Sequence, residues 1–205
     1  MRRQSVGIAV VAFLIASPLP AATVALDLAS FGIAPGYYLE SFNGLTAGSL
    51  GSPQAFSNGV FSFQASAPNG LFAGNGYLST NLSTELLTFT FLGGNVTAAG
   101  GHFLGTDADF NPVDSTTTLV LSDGTNVVLT SPDTFRGFTA AVGVFITSLT
   151  VSSTGAATVA FPTVDDLYVG RAETSQIPEP ASVLLVAGGV LLAAARLRRL
   201  RMRPF

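Results

Sequence analysis

Thr116-Thr-Thr-Leu-Val-Leu121-Ser122-Asp123-Gly124-Thr125-Asn126-Val-Val-Leu-Thr130 is the stretch whose reading decides the fold. Two short runs of Thr, Val and Leu flank Asp123-Gly124, and Asp-Gly supplies the positive φ that a tight two-residue hairpin turn needs. The run therefore reads as a β-hairpin. Outward from it the same pattern repeats, with stretches of Val, Thr, Phe and Leu set between Gly, Asn, Asp, Ser and Pro at roughly ten-residue spacing. The expected strands are Tyr37–Phe42, Gly59–Ala65, Glu85–Leu92, Thr116–Leu121, Asn126–Thr130, Phe135–Thr139, Val144–Val151, Ala157–Phe161 and Asp166–Val169. No convincing amphipathic helix interrupts them.

This pattern predicts an all-β domain over 26–172, a two-sheet antiparallel sandwich of jelly-roll-like form, with a closed barrel as the alternative. At about 150 residues it is large enough to stand on its core, and the chain has no cysteine to add disulfides. Phe61, Phe63, Phe89, Phe91, Phe145 and Phe161 fall at strand positions and are expected in that core. Ser66–Asn81, rich in Gly, Asn, Ala and Ser, is expected to be a long surface loop. Residues 173–176 read as a short polar spacer.

The chemistry-bearing residues are few. His102 is the one histidine, and no serine lies in a Gly-x-Ser-x-Gly elbow, so the sequence predicts no enzyme. Asp107-Ala-Asp109-Phe-Asn111-Pro-Val-Asp114 repeats acidic or amide oxygens at every second position, the way calcium loops commonly begin. Pro112 and Thr118 stand where an EF-hand needs glycine and glutamate, so it is not an EF-hand. Asp107, Asp109, Asn111 and Asp114 are the candidate calcium ligands, against the simpler reading of an Asx-capped connection between strands. No other cofactor is expected. Asp165-Asp166 reads as turn-stabilising, because adjacent strand residues point to opposite faces unless a bulge intervenes. Tyr37, Tyr38 and Tyr77 combine an apolar ring with a polar tip and are the candidate sugar-facing residues.

The two ends carry most of the functional signal. Arg2 and Arg3, the apolar stretch Val6–Ala16 and the small-residue segment Ser17–Ala25 read as a cleavable secretory signal over 1–25, cut between Ala21 and Ala25. At the other end, Pro178-Glu179-Pro180 forms a stiff extended stub ahead of the uncharged run Ala181–Ala195. As a transmembrane helix that run spans about 22 Å against about 30 Å of hydrocarbon, a marginal crossing. Arg196, Arg198, Arg199, Arg201 and Arg203 follow without an acid, so they would stay cytoplasmic and snorkel, placing everything upstream outside.

Ile177-Pro178-Glu179-Pro180-Ala181-Ser182, the apolar segment and the arginine cluster, in that order, resemble the PEP-CTERM sorting signal of Gram-negative bacteria. The resemblance covers only 177–205. It implies recognition by an exosortase, a membrane-embedded transpeptidase, with cleavage near the triplet and delivery to the cell surface or the exopolysaccharide matrix. Before processing, the protein would sit in the inner membrane with a periplasmic ectodomain. A plain C-terminal membrane anchor is the simpler alternative and has the same orientation.

Charge narrows the partners. The chain has no lysine, and the stretch between the two terminal signals holds Arg136 and Arg171 against eleven acids, a formal charge of minus nine where the whole chain has minus three. Nucleic acid would be repelled. Two function classes survive: a non-enzymatic exported surface or matrix protein of a biofilm, and a glycan-binding module, with or without calcium assistance, held at the membrane. They differ in whether a face of the domain presents aromatic rings and acids in a concave site.

Overall fold

Strand alternation becomes a set of paired ladders in the computed structural model, which describes residues 22–130, 134–156 and 158–172. The expected spacer, Pro178, Glu179, Pro180, the apolar run, the arginine cluster and residues 1–21 of the expected secretory signal lie outside the described residues. Among the described residues no helix is long and apolar enough to cross a membrane.

In chain order the elements are β1 (Thr23–Ala25), α1 (Leu28–Phe31), β2 (Tyr38–Glu40), β3 (Gly48–Leu50), β4 (Gln54–Asn58), β5 (Phe61–Ser66), β6 (Leu71–Gly74) and β7 (Tyr77–Thr80). There follow β8 (Leu87–Leu92), β9 (Ala98–Thr106), β10 (Ser115–Leu121), β11 (Asn126–Leu129), β12 (Thr134–Thr139), β13 (Ser148–Gly155) and β14 (Phe161–Gly170). They form two antiparallel sheets. The first runs β1-β12-β9-β14-β7-β6-β3 with β2 also paired to β14, and the second runs β11-β10-β13-β8-β5-β4. The domain is thus β-sandwich-like.

Apolar residues from both sheets close one core. Phe63, wholly buried, stacks on Phe56 at 4.9 Å between ring centroids and meets Phe89 at 5.9 Å, Phe91 at 6.2 Å and Tyr38 at 5.9 Å. Phe103, Val164 and Leu167 of the first sheet join the same cluster. The buried hydroxyls between β7, β9 and β14 are paired. Thr163 Oγ1 lies 2.8 Å from Thr106 Oγ1 and donates to Ser79 Oγ at 3.0 Å, while Ser79 donates to Pro162 O at 3.0 Å.

Helix α1 is one turn, started by an Asp27–Ser30 capping box and ended by Gly32 in the left-handed region. Its Phe31 lies on β12 so closely that a Cβ on Gly137 would come within 2.2 Å of the ring. Residues 23–25, which the sequence places in the signal, form edge strand β1 against β12. Just ahead of it, the Ala22 N–H donates to Asp123 Oδ2 at 2.8 Å and to Thr125 Oγ1 at 3.0 Å, in the turn of the β10–β11 hairpin.

Several expectations are corrected. Ser66–Asn81 is not a long loop, since β6 and β7 form a hairpin through Asn75 (φ 54°) and Gly76 (φ 85°), both in the left-handed geometry of a type I′ turn. Strand β9, nine residues long and bordered by β12 and β14, was not expected, nor were β1, β3 and β4. The expected strand Ala157–Phe161 begins only at Phe161, and Val144–Val151 shifts to β13. Phe145 is 47% exposed and outside the core, because it precedes that strand instead of lying in it. Phe161 is half-buried.

Candidate functional site

The acidic segment after β9 folds back over the outer face of the β6–β7 hairpin. Asp107 organises it: Oδ1 accepts the N–H groups of Asp109 and Asn111, each at 2.9 Å, and Oδ2 accepts from Asn111 Nδ2 at 3.0 Å. The Asp107 N–H donates to Asn111 O at 3.0 Å and closes the turn. The hydrogen bonds from the Asn111 side chain and backbone, and then from Asp109, hold the Asp107 carboxyl below the ordinary aspartate range.

This turn delivers Phe110, a non-glycine residue at φ 65°, onto the hairpin. The ring settles over Gly74, where a Cβ would be 2.6 Å from Phe110 Cε2, so only glycine leaves room. Alternation puts Phe72, Gly74, Tyr77 and Ser79 on that same outer face. Phe110 stacks on Tyr77 at 5.8 Å with 14° between planes and tilts against Phe72 at 5.9 Å. The Asn75 side chain reaches Asp109 O at 3.5 Å. Beside this aromatic row opens a cleft of about 160 Å³, lined by Phe72, Ser79, Thr80, Asn81, Asp107, Ala108, Phe110 and Phe161.

Asn81 fixes the open end of the hairpin by donating to Ser49 Oγ at 3.0 Å and Asn69 O at 2.8 Å. Chemically the cleft offers the exposed Phe72 ring beside an ionised acceptor, while the Ser79 and Thr80 hydroxyls that line it are buried and bonded within the fold. That combination can stack and hydrogen-bond a polyol. It holds no nucleophile–base pair.

The residues singled out in the sequence fall in several places. Asp107 lines the cleft, and Tyr77 supports it through Phe110. Asp109 and Asn111 belong to the same turn, while Asp114, beyond the Thr106–Pro112 bridge, accepts the Ala156 N–H through its backbone carbonyl. Among the described residues no three His, Cys, Asp or Glu side chains stand together as a metal-holding group.

Tyr38 is 7% exposed and sits in the core, its hydroxyl donating to Glu40 Oε2 at 2.5 Å. Burial, and then this hydrogen bond to a carboxylate, push its ionisation well above the ordinary tyrosine range. Its ring is therefore unavailable to a sugar. Tyr37 packs edge-on against Phe31 at 5.6 Å, beside the small cluster of Phe31, Ala98 and Phe135, whereas Tyr77 stacks on Phe110. The three tyrosines thus do not form one surface.

His102 lies edge-on to Phe135 at 5.6 Å. At Asp165-Asp166 the β14–β9 register shifts, with Asp166 at φ 48° and its N–H bonded to Asp165 Oδ1 at 2.8 Å, so a bulge is present where the sequence pattern assumed a regular strand. Burial, followed by the charges of Asp166 and Asp165, raises the Tyr168 pKa. Phe72, Phe110 and Gly74 were missed as site residues. The Asn75-Gly76 turn signal could have revealed the hairpin that carries two of them.

Compared with known proteins, no family model matches the chain and no curated protein matches it.

Proposed function

We propose that this is a non-enzymatic exported surface or extracellular-matrix protein, sorted and processed through its C-terminal Pro178-Glu179-Pro180 tail by an exosortase-like transpeptidase and associated with exopolysaccharide or biofilm. The observation that carries the reading is the order of parts in 177–205: stiff triplet, uncharged run, five arginines. Before processing it would be anchored in the inner membrane with a periplasmic ectodomain. The jelly-roll-like description belongs here too, supported by strand neighbours distant in sequence, such as β9 with β14 and β5 with β8.

The intact mass of protein recovered from the surface or extracellular fraction tests it. The expected mass lacks both the signal and the residues beyond the triplet. Alanines at 178–180 should leave export intact and stop C-terminal processing; equal processing of that variant would overturn the proposal.

The cleft favours a second reading, a glycan-binding module, because the exposed Phe72 ring stands beside the Asp107 carboxylate in a concave site shaped by Phe110. Calcium assistance is part of it, through oxygens of Asp107, Asp109, Asn111 and Asp114. A Tm raised by millimolar calcium and restored by chelator would support that part, and an unchanged Tm would remove it.

A further inference from the structure

The second sheet has an unusual outer face. Its outward positions are Asn126 and Val128 on β11; Thr116, Thr118 and Val120 on β10; Ser148, Thr150, Ser152 and Thr154 on β13; Thr88, Thr90 and Leu92 on β8; Ser62, Gln64 and Ser66 on β5; and Ala55 and Ser57 on β4. None is ionisable, although the domain over 26–172 carries ten acids. The register aligns the hydroxyls across strands, Thr116 with Thr154, Thr118 with Ser152, and Thr150 with Thr88. At about 4.8 Å between strands and about 6.7 Å between alternate residues, they form a regular array.

At one end this face runs into a groove of about 300 Å³, lined among others by Ser83, Thr84, Glu85, Ser152, Thr154 and Thr158. Glu85 is 8% exposed, and only one of its oxygens is satisfied. Oε1 accepts the Asn69 N–H at 3.1 Å and the Asn69 side-chain amide, whereas Oε2 is buried without a hydrogen-bond partner. A carboxylate oxygen left dry is costly, and a donor arriving in the groove removes that cost.

We infer that this groove is the seat of a neutral saccharide chain, with Glu85 Oε2 accepting a sugar hydroxyl and the uncharged hydroxyl face carrying the sugars that follow. The surrounding hydroxyls both donate and accept, as sugar hydroxyls do, so each can pair with the other. An anionic polymer would meet the buried carboxylate and the acidic domain, and is disfavoured by both. The inference deepens the glycan-binding reading and places it on the second sheet, apart from the aromatic cleft on the first.

The test titrates the full ectodomain, by calorimetry or NMR, with neutral glucose and mannose hexasaccharides and with a cationic chitosan hexasaccharide. One neutral hexasaccharide should bind. Glu85→Gln, which puts an amide donor where an acceptor is needed, should weaken it about tenfold, the equivalent of roughly one charged hydrogen bond. Ser152→Ala with Thr154→Val, both at solvent-facing positions that leave the core untouched, should weaken it severalfold and keeps the test valid if the glutamine variant unfolds. Binding lost with Phe110→Ala and unchanged by the groove variants would overturn this inference and leave the glycan reading standing at the cleft. No binding of either neutral hexasaccharide would overturn both, and preference for the chitosan oligomer would overturn the neutral-saccharide assignment.

Discussion

Gly74 and Phe110 are fitted to one another: the ring occupies the volume that any side chain at 74 would need, 2.6 Å from where its Cβ would stand. Gly74→Ala should therefore cost about 1–3 kcal/mol through overpacking, a fall in Tm of roughly 2–4 °C per kcal/mol for a domain of this size. In Phe110→Ala the added methyl should cost almost nothing, so a double-mutant cycle by thermal denaturation should give a coupling energy close to the whole Gly74→Ala penalty. Additive effects would show that Phe110 does not rest on Gly74.

Asp107 gives the site an acid sensitivity. Its folded-state pKa is depressed, so its contribution is fully present above the ordinary aspartate value of 3.8 and is lost as the pH falls through the lower folded value. Asp107→Asn should lower the Tm relative to the parent at neutral pH, and the gap should close below pH 3.8. A gap independent of pH would mean that the carboxylate's charge contributes nothing. Asp27, depressed by its bonds to Ser30 at the start of α1, acts in the same direction and is unaffected by that substitution.

Thr163 joins the buried hydroxyl chain at its centre, between Thr106 and Ser79. Thr163→Val keeps the shape but leaves the Thr106 hydroxyl without this partner, at a cost of about 1–3 kcal/mol. Urea denaturation should show a lower midpoint with an unchanged slope. Adding Thr106→Val should cost less than the sum of the two single changes, because both ends of one bond are then gone.

The fold was legible where side chains carry the signal. Thr116–Leu121 and Asn126–Thr130 became β10 and β11 within a residue, since β-branched residues and Asp123-Gly124 all favour the same hairpin. Strand β9 was hidden for a physical reason: Ala98-Ala-Gly-Gly reads as weak in β propensity, yet small residues are what this crowded position admits. A Cβ on Gly100 would meet Gly137 Cα at 3.0 Å, and one on Gly105 would meet Ser115 Oγ at 2.3 Å. The cleft was half legible. Asp107 and Tyr77 were singled out separately, but their meeting through Phe110 depends on a fold-back of the 107–111 turn that no periodicity encodes. The second-sheet groove was not legible at all, since it joins residues near 85 to residues near 154 through strand register alone.

The hydrogen bond from Ala22 to Asp123 bears on where the proposed secretory signal would be cut. A cut at the Ala21–Ala22 bond would replace that amide with an α-ammonium, making the contact charge-assisted and roughly twice as strong. A cut after Ala25 would instead discard the whole of β1. N-terminal sequencing of exported protein should begin at Ala22; a start after Ala25 would contradict this. Under that proposal, the turn that most plainly announces the fold would also be a waiting counter-ion for the chain's newly made end, so that maturation would fasten the edge of the sheet.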